Sequence, residues 1–272
     1  MNQLNRRLAV HEQSECGYSI NKSSGLKKKK IVSQTTLALL VYGDAVYRLL
    51  KQISYIANMN NRNELGIYLT SLGLTGRGVE VGSNVGEFAE VILSNWGGTL
   101  YMIDPWRTLG HEFARTSPAG FDEKLRNNAL HAFTAVEKFG ERAVPIRTFS
   151  KTAIDLFPDE SLDFVYIDAN HEYHCVLEDI ELWFPKVKKG GVVSGHDYIT
   201  STAIENKWVY SEPIPGQKNV NLYYMNRTFC GIFGVNAAVE DFCDSHGYKF
   251  ETTHPHPTVP GSEIWSSWYF RK

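Results

Sequence analysis

Val79-Glu80-Val81-Gly82-Ser83-Asn84-Val85-Gly86 is the stretch on which the reading of this chain turns. Gly78 to Gly82 has the length and composition of a short buried strand, and it runs straight into a glycine turn. Glycines there let the chain reverse sharply and let backbone approach a ligand closely. A helix predicted from about Glu87 to Leu93 points its amino terminus, with its partial positive charge, at the same spot. The spacing is Glu-x-Gly-x-x-x-Gly. It differs from the dinucleotide fingerprint Gly-x-Gly-x-x-Gly, whose glycines seat a pyrophosphate on the helix terminus. An acid at the strand end, here Glu80, suits a cationic ligand better than a phosphate.

Working outward, short apolar runs alternate with helical patterns. Residues 99–104, 144–147, 162–168 and 192–195 read as four further strands. Residues 64–72, 124–139 and 175–184 read as helices. Lys188-Lys189-Gly190-Gly191 reads as the turn into the fifth strand. Strands spaced by helices predict βαβ units. The expected class is therefore α/β: a Rossmann-like, open, mostly parallel twisted sheet with helices on both faces. Beyond Asp197 the rhythm loosens, with late strands expected at 231–235 and 264–270 and a helix at 237–245. Before Glu64, residues 1–60 read as a polar tail ending in Lys27-Lys28-Lys29-Lys30 plus an accessory helical segment at 33–58. They form an N-terminal helical extension to a main domain over residues 61–272.

Ligands of open parallel sheets sit at the carboxyl ends of the strands. Asp104 closes the second strand, and a carboxylate there can accept two hydrogen bonds from a diol. Around the fourth and fifth strand ends stand Asp168-Ala169-Asn170-His171 and His196-Asp197-Tyr198. With the glycine turn, these three motifs, in this order and spacing, resemble the class I S-adenosylmethionine-dependent methyltransferases. The resemblance covers about Glu64 to Tyr198 and is closest to the small-molecule and sugar O-methyltransferases of the macrocin O-methyltransferase-like group. It implies an S-adenosylmethionine-dependent methyltransferase that uses a hydroxyl of a small polar acceptor, a sugar or glycan. It also implies a cofactor site made by Glu80, Gly82, Ser83, Asn84, Gly86, Asp104, Trp106, Ser150 and Asp168.

Relatives in that group hold a divalent cation with acids at the fourth and fifth strand ends. The resemblance thus suggests Asp168, His196 and Asp197 as metal ligands, for magnesium or manganese. Oxygen donors suit magnesium. Here the fifth strand ends in His196-Asp197 where relatives often carry two acids or an acid and an amide. The imidazole shifts the preference toward manganese, iron or zinc. His171 lies three residues beyond Asp168, where a neutral imidazole can accept a hydroxyl proton. His171 and Asp168 are the expected catalytic pair, with Asn170 available to orient the acceptor. His254 and His256 flank Pro255 and read as a solvated loop.

The bulk numbers narrow the field. The 272 residues carry a formal net charge of −2 and are 43% hydrophobic. That supports a sizeable core and supplies no global basic field for nucleic acid. The four cysteines form no Cys-x-x-Cys pair, which disfavours a zinc ribbon. The apolar run at Leu37 to Val41 is interrupted by Asp44 and Arg48, too early for a membrane span. A cytoplasmic protein is expected, free of nucleic acid and membrane, with a homo-oligomer left open. Four rivals stand beside the leading reading. One is a methyltransferase for an aromatic, catechol-like ring. The second is an NAD-linked oxidoreductase, disfavoured by the missing third glycine. The third is a nucleic-acid methyltransferase, disfavoured by the acidic pI and by Asp168-Ala169-Asn170-His171 standing where an Asn-Pro-Pro-Tyr-type base-flipping loop would follow the fourth strand. The fourth is an inactive cofactor-binding module.

Overall fold

The computed structural model describes residues 58–107, 121–207, 210–213, 221–225, 228–255 and 265–272. These residues belong to one unit, Leu50–Lys272. The expectations for the lysine run, for the accessory helix at 33–58 and for His256 lie outside the described residues.

Seven strands form the main sheet, in the order β3-β2-β1-β4-β5-β10-β9. They are β1 (Arg77–Val81), β2 (Thr99–Asp104), β3 (Ala143–Arg147), β4 (Leu162–Ile167), β5 (Val187–Tyr198), β9 (Glu251–Thr252) and β10 (Ser266–Arg271). The first five pair in parallel. β10 then runs antiparallel to β5, and β9 antiparallel to β10. The order reverses beside β1, which lies between β2 and β4. The crevice at the carboxyl ends of those strands is where an open sheet takes its ligand.

Alternating side chains explain why the sheet is covered on both sides. Val79, Val81, Val165, Ile167 and Val193 join one buried cluster. Leu100, Met102, Phe164, Tyr166 and Val192 join the other. The first face is covered by helices Tyr173–Trp183 and Val235–His246, through Val176, Ile180, Trp183, Ala238 and Phe242. The second is covered by Leu65–Ser71, Glu87–Asn95 and Phe121–Val136, through Leu69, Ile92, Leu93 and Ala132. Every residue of β4 is buried, as expected for a central strand packed on both faces.

Two stretches depart from the sequence reading. The turn expected at Lys188–Gly191 lies inside β5, as an irregularity: Leu162 pairs with Val187 and Phe164 already pairs with Val192. The chain end stabilises this loop, because Gly190 N–H donates to Lys272 O at 2.6 Å and Lys272 N–H to Gly191 O at 3.0 Å. The strand near residue 231 belongs to a separate antiparallel sheet. In it β6 (Tyr210–Pro213), β7 (Asn221–Met225) and β8 (Thr228–Phe233) are adjacent. Its first two strands, four and five residues long, are too short for their alternation to have announced them. No helix among the described residues is long and apolar enough to cross a membrane.

Candidate active site

Three strand ends are knitted by backbone. Gly82 N–H donates to Ile103 O at 2.8 Å, and Asp168 N–H donates to Val81 O at 2.8 Å. Gly82 has φ +93°, and a Cβ built there would stand 2.0 Å from Asp168 O. Only glycine allows β1 to pass so close to the end of β4. The turn closes with Gly86 N–H donating to Ser83 O at 2.7 Å, after which Gly86 (φ +81°) precedes helix Glu87–Asn95.

Asn84, itself left-handed at φ +45°, is held from three sides. Its N–H donates to Asp104 Oδ2 at 2.9 Å, its carbonyl accepts the Trp106 indole N–H at 2.6 Å, and its Oδ1 accepts Asn128 Nδ2 at 2.7 Å. Asp104 Oδ1 also accepts the Trp106 backbone N–H at 2.7 Å. The Asp104 carboxylate therefore ties the glycine turn to the loop after β2. Each of its oxygens keeps a second lone pair for a ligand hydroxyl. Burial raises its pKa, opposed by these two N–H donors.

Glu80 and Ser83 are both buried, and Glu80 Oε2 and Ser83 Oγ have no hydrogen-bond partner. Burial pushes the Glu80 carboxyl up to about 7. Leaving two buried polar atoms unmatched costs free energy unless a ligand completes them. A donor such as an ammonium group fits this pair.

Trp106 and Ser150 take supporting positions. Trp106 is 1% exposed and meets the Phe133 ring edge-on at 5.3 Å. It braces Asn84 from below. Ser150 Oγ donates to Asp179 and accepts the Trp183 indole N–H at 2.8 Å, so its hydroxyl is engaged within the helical layer.

The second cluster gathers at the ends of β4 and β5. His171 Nε2 lies 2.7 Å from Asp197 Oδ2 and 3.7 Å from Asp168 Oδ1. His196 Nδ1 lies 3.3 Å from Asp197 Oδ1 and 3.8 Å from Asp168 Oδ2. Asp197 is 7% exposed and left-handed at φ +60°, a strained conformation for a non-glycine residue. Burial alone would depress the His171 imidazole. Hydrogen bonds to Asp168 and Asp197 outweigh it and lift the pKa to about 9. Burial would raise Asp197, yet its bonds to His171 and His196 hold it below the usual carboxylate range. The loop is anchored where Gly234 N–H, just after β8, donates to His171 O at 2.7 Å.

Arg62 was not singled out in the sequence, because it precedes every motif. It lies on a short 3-10 turn, Arg62–Glu64, with its guanidinium 4.7 Å above the Phe88 ring and Nη1 3.5 Å from Asp168 Oδ2. Asn128 was also passed over. Nothing local marks either residue, since only the tertiary fold brings them to the site.

Residues 79–198 match a family model described as a methyltransferase domain. Solved structures of similar fold include a candidate caffeoyl-CoA O-methyltransferase from Staphylococcus aureus. It aligns with a TM-score of 0.50 at 12% identity, over 88% of this chain and 98% of that one. The O-methyltransferase from Bacillus cereus aligns with a TM-score of 0.48 at 11% identity, over 90% and 94%. Among curated sequences, the uncharacterized protein y4gI of Sinorhizobium fredii is 41% identical over 51 residues. That match spans 19% of this chain and only 6% of the relative's length.

The glycine turn, with the unmatched Glu80 and Ser83 atoms, offers acceptors that would suit a ligand carrying an ammonium group, as S-adenosylmethionine does. A divalent cation would fit the compact trio Asp168, His171 and Asp197, whose ligand atoms lie within 4.8 Å of one another. His196, expected beside the two acids, also lies there, with Nδ1 3.3 Å from Asp197 Oδ1 and 3.8 Å from Asp168 Oδ2. A second grouping, Glu172, His174 and Cys175, is more exposed.

Proposed function

We propose that this chain is an S-adenosylmethionine-dependent O-methyltransferase for a hydroxyl of a small polar acceptor, with a sugar or glycan as the acceptor class. The observation that carries this reading is the convergence of Asp168, His171 and Asp197 beside the Glu80–Gly86 turn. One crevice then holds a seat for the cofactor and a proton-handling cluster for the acceptor.

Bound there, S-adenosylmethionine supplies an electrophilic methyl group. Glu80 and Ser83 would take its amino-acid end and Asp104 its ribose hydroxyls, with Gly82 and Gly86 allowing close backbone approach. Asp168 and Asp197 orient the acceptor hydroxyl, and Asn170, in the same loop, is placed to assist. His171 removes the hydroxyl proton as the nucleophile forms, and orientation supplies much of the remaining acceleration. At neutral pH the two carboxylates keep His171 protonated, so its basic form grows as pH rises toward 9. A divalent cation held by Asp168, His171 and Asp197 would instead stabilise the developing alkoxide by direct charge. A polar acceptor is favoured over a catechol-like ring because Arg62, Asp168, His171, His196 and Asp197 place ionisable groups at that end of the crevice.

The test is calorimetric titration with S-adenosylhomocysteine, with NAD as control, followed by methyl transfer to sugars and to catechols with and without chelator. Saturable binding of S-adenosylhomocysteine alone and transfer to a sugar hydroxyl are expected. Binding of NAD alone would overturn the cofactor, and transfer only to catechols would overturn the acceptor class. Indifference to chelator, with no metal in the protein, would remove the cation.

A further inference from the structure

Outside the cluster at the ends of β4 and β5, a second group of side chains has the makings of a metal site. Glu172, His174 and Cys175 stand at the start of helix Tyr173–Trp183, and one ligand atom from each lies within 4.8 Å of the others. His174 Nε2 is 3.6 Å from Glu172 Oε2. That separation is too long for a hydrogen bond. It matches the roughly 3.3–3.6 Å between two donors of one tetrahedral zinc ion, given bonds of about 2.0–2.3 Å. Glu172 occupies the N-cap position, yet its side chain makes no capping bond to the helix.

Backbone fixes this group while its side-chain ends keep room to close. Glu172 N–H donates to Asn170 Oδ1 at 2.8 Å, and Cys175 N–H donates to Glu172 O at 3.0 Å. A loop bond and the first helical turn therefore set where the three residues stand. The Glu172 and His174 side chains are 49% and 76% exposed, so both can swing onto an ion held at the sulfur. Cys175 is half-buried and is the more fixed member. His171, next to Glu172 in the chain, is engaged elsewhere, with Nε2 2.7 Å from Asp197 Oδ2.

The donor set names the class of ion. A thiolate with an imidazole and a carboxylate selects zinc over magnesium. Asp168, His171 and Asp197, with two carboxylates and no sulfur, are a harder set. Three protein ligands leave the fourth tetrahedral position to water. The surroundings favour positive charge: burial, then the charges of Glu172, Asp179 and Glu178, raise the Cys175 thiol above its ordinary value. Binding therefore displaces a proton. The S–H bond breaks, the proton leaves to solvent, and the sulfur lone pair forms the metal–sulfur bond with no change of oxidation state. We propose that Glu172, His174 and Cys175 form a binding site for a thiophilic divalent cation of the zinc class, separate from the trio Asp168, His171 and Asp197. An ion held there fastens the end of the 168–172 loop to the helix that follows it. The site is independent of the cofactor and acceptor readings.

The experiment titrates cobalt(II), a spectroscopic stand-in for zinc, into the full-length, reduced, metal-free protein. A cobalt–thiolate bond gives a charge-transfer band in the near ultraviolet that oxygen and nitrogen ligands alone do not give. The wild type should develop this band and saturate at one cobalt, and zinc added afterwards should abolish it by displacement. Cys175→Ser should lose the band, although Asp168, His171 and Asp197 are intact. His174→Ala and Glu172→Gln, both at exposed positions, should weaken cobalt by about tenfold or more, since losing even an outer partner of a metal ligand costs about 10–100-fold. Zinc should raise the Tm of the wild type more than that of Cys175→Ser, with melts of the metal-free variants showing that each is folded. Absence of the band in the wild type would overturn the inference. So would its persistence in Cys175→Ser, which would place the thiolate elsewhere in the chain. Unchanged affinity in both His174→Ala and Glu172→Gln would reduce the site to a single thiol and overturn it as well.

Discussion

In the proposed reading Asp104 has two tasks for one carboxylate, and its substitution should expose both. Its oxygens hold the Asn84 and Trp106 N–H groups and retain lone pairs for a ribose diol. Asp104→Ala should weaken S-adenosylhomocysteine roughly ten- to a hundredfold, the scale of about 1.5–3 kcal/mol for hydrogen bonds to a charged group. It should also lower thermal stability, because two backbone donors lose their acceptor. Unchanged affinity in a folded variant would remove Asp104 from the cofactor site. Glu80 makes a pH prediction. Its carboxyl is raised from 4.5 to about 7 by burial, so below pH 7 it is largely neutral and cannot pair with an ammonium. Affinity for S-adenosylhomocysteine should climb as pH rises through about 7 and then level off, and Glu80→Gln should flatten the curve. The linkage sign for stability is the reverse. The folded state holds this proton more tightly than the unfolded state, so the Glu80 contribution is greatest below about 4.5 and diminishes as pH rises through 7. An affinity profile flat from pH 6 to 8 would separate Glu80 from the ligand. The proposed mechanism assigns His171 to the chemical step. His171→Ala should spare cofactor binding and cut turnover by roughly 10²–10⁴, the range of a positioned acid–base group. Without metal, the wild-type rate should rise with pH as His171 loses its proton near 9. The stabilisation His171 gains from its carboxylates is complete below about 6.5 and is lost through the same rise. A variant as active as the wild type would end the role of His171 as base.

At the scale of elements, the closest approach in the site is between the end of β1 and the start of the loop after β4. It depends on Gly82 having no side chain. Gly82→Ala would need a strained φ and would set its Cβ 2.0 Å from Asp168 O, so β1 and β4 must part. A strained backbone conformation alone costs roughly 1–3 kcal/mol, and the collision adds to it. Both Tm and cofactor affinity should fall, and Asp168 should lose its register with Asp197. An alanine variant with wild-type Tm and affinity would mean that the turn relaxes without moving β4. The elements around this turn were legible because their signals are local: a buried strand, two glycines, a helix and an acid at the next strand end. The second site was only half legible. Asp168, His171 and Asp197 stand after readable strands, and a strand end can be located from periodicity. Their partners cannot. How closely His171 approaches the two acids depends on a loop fixed by Gly234 N–H, donated from beyond a small sheet of which only the last strand was readable. Arg62 and Asn128 arrive from elements with no motif of their own. The bulge in β5 was read as a turn because its stabilising partner is the chain end, more than 80 residues away.

For the whole molecule, the strand order makes β10 central to the core. β10 lies between β5 and β9, so the last strand in sequence is an interior strand in space. Trp268, Tyr269 and Phe270 are each at most 3% exposed. Because alternate residues face opposite sides, Trp268 and Phe270 fill one core cluster and Tyr269 the other. Removing β10 therefore damages both layers at once. Full burial of such side chains contributes about 1.5–3 kcal/mol each, so the three together approach the roughly 5–15 kcal/mol by which a domain is stable at all. The loss also exposes the edge of β5, the strand that carries His196 and Asp197, and releases the Lys272 contacts that hold the Gly190–Gly191 loop. A chain ending at residue 264 should fail to unfold cooperatively and should bind no S-adenosylhomocysteine, although every residue assigned to the cofactor is still present. Circular dichroism melting and calorimetry on the purified truncation would measure this. A cooperative melt with intact binding would mean that the five parallel strands and their helices suffice as a domain, and that β10 serves only to cover β5.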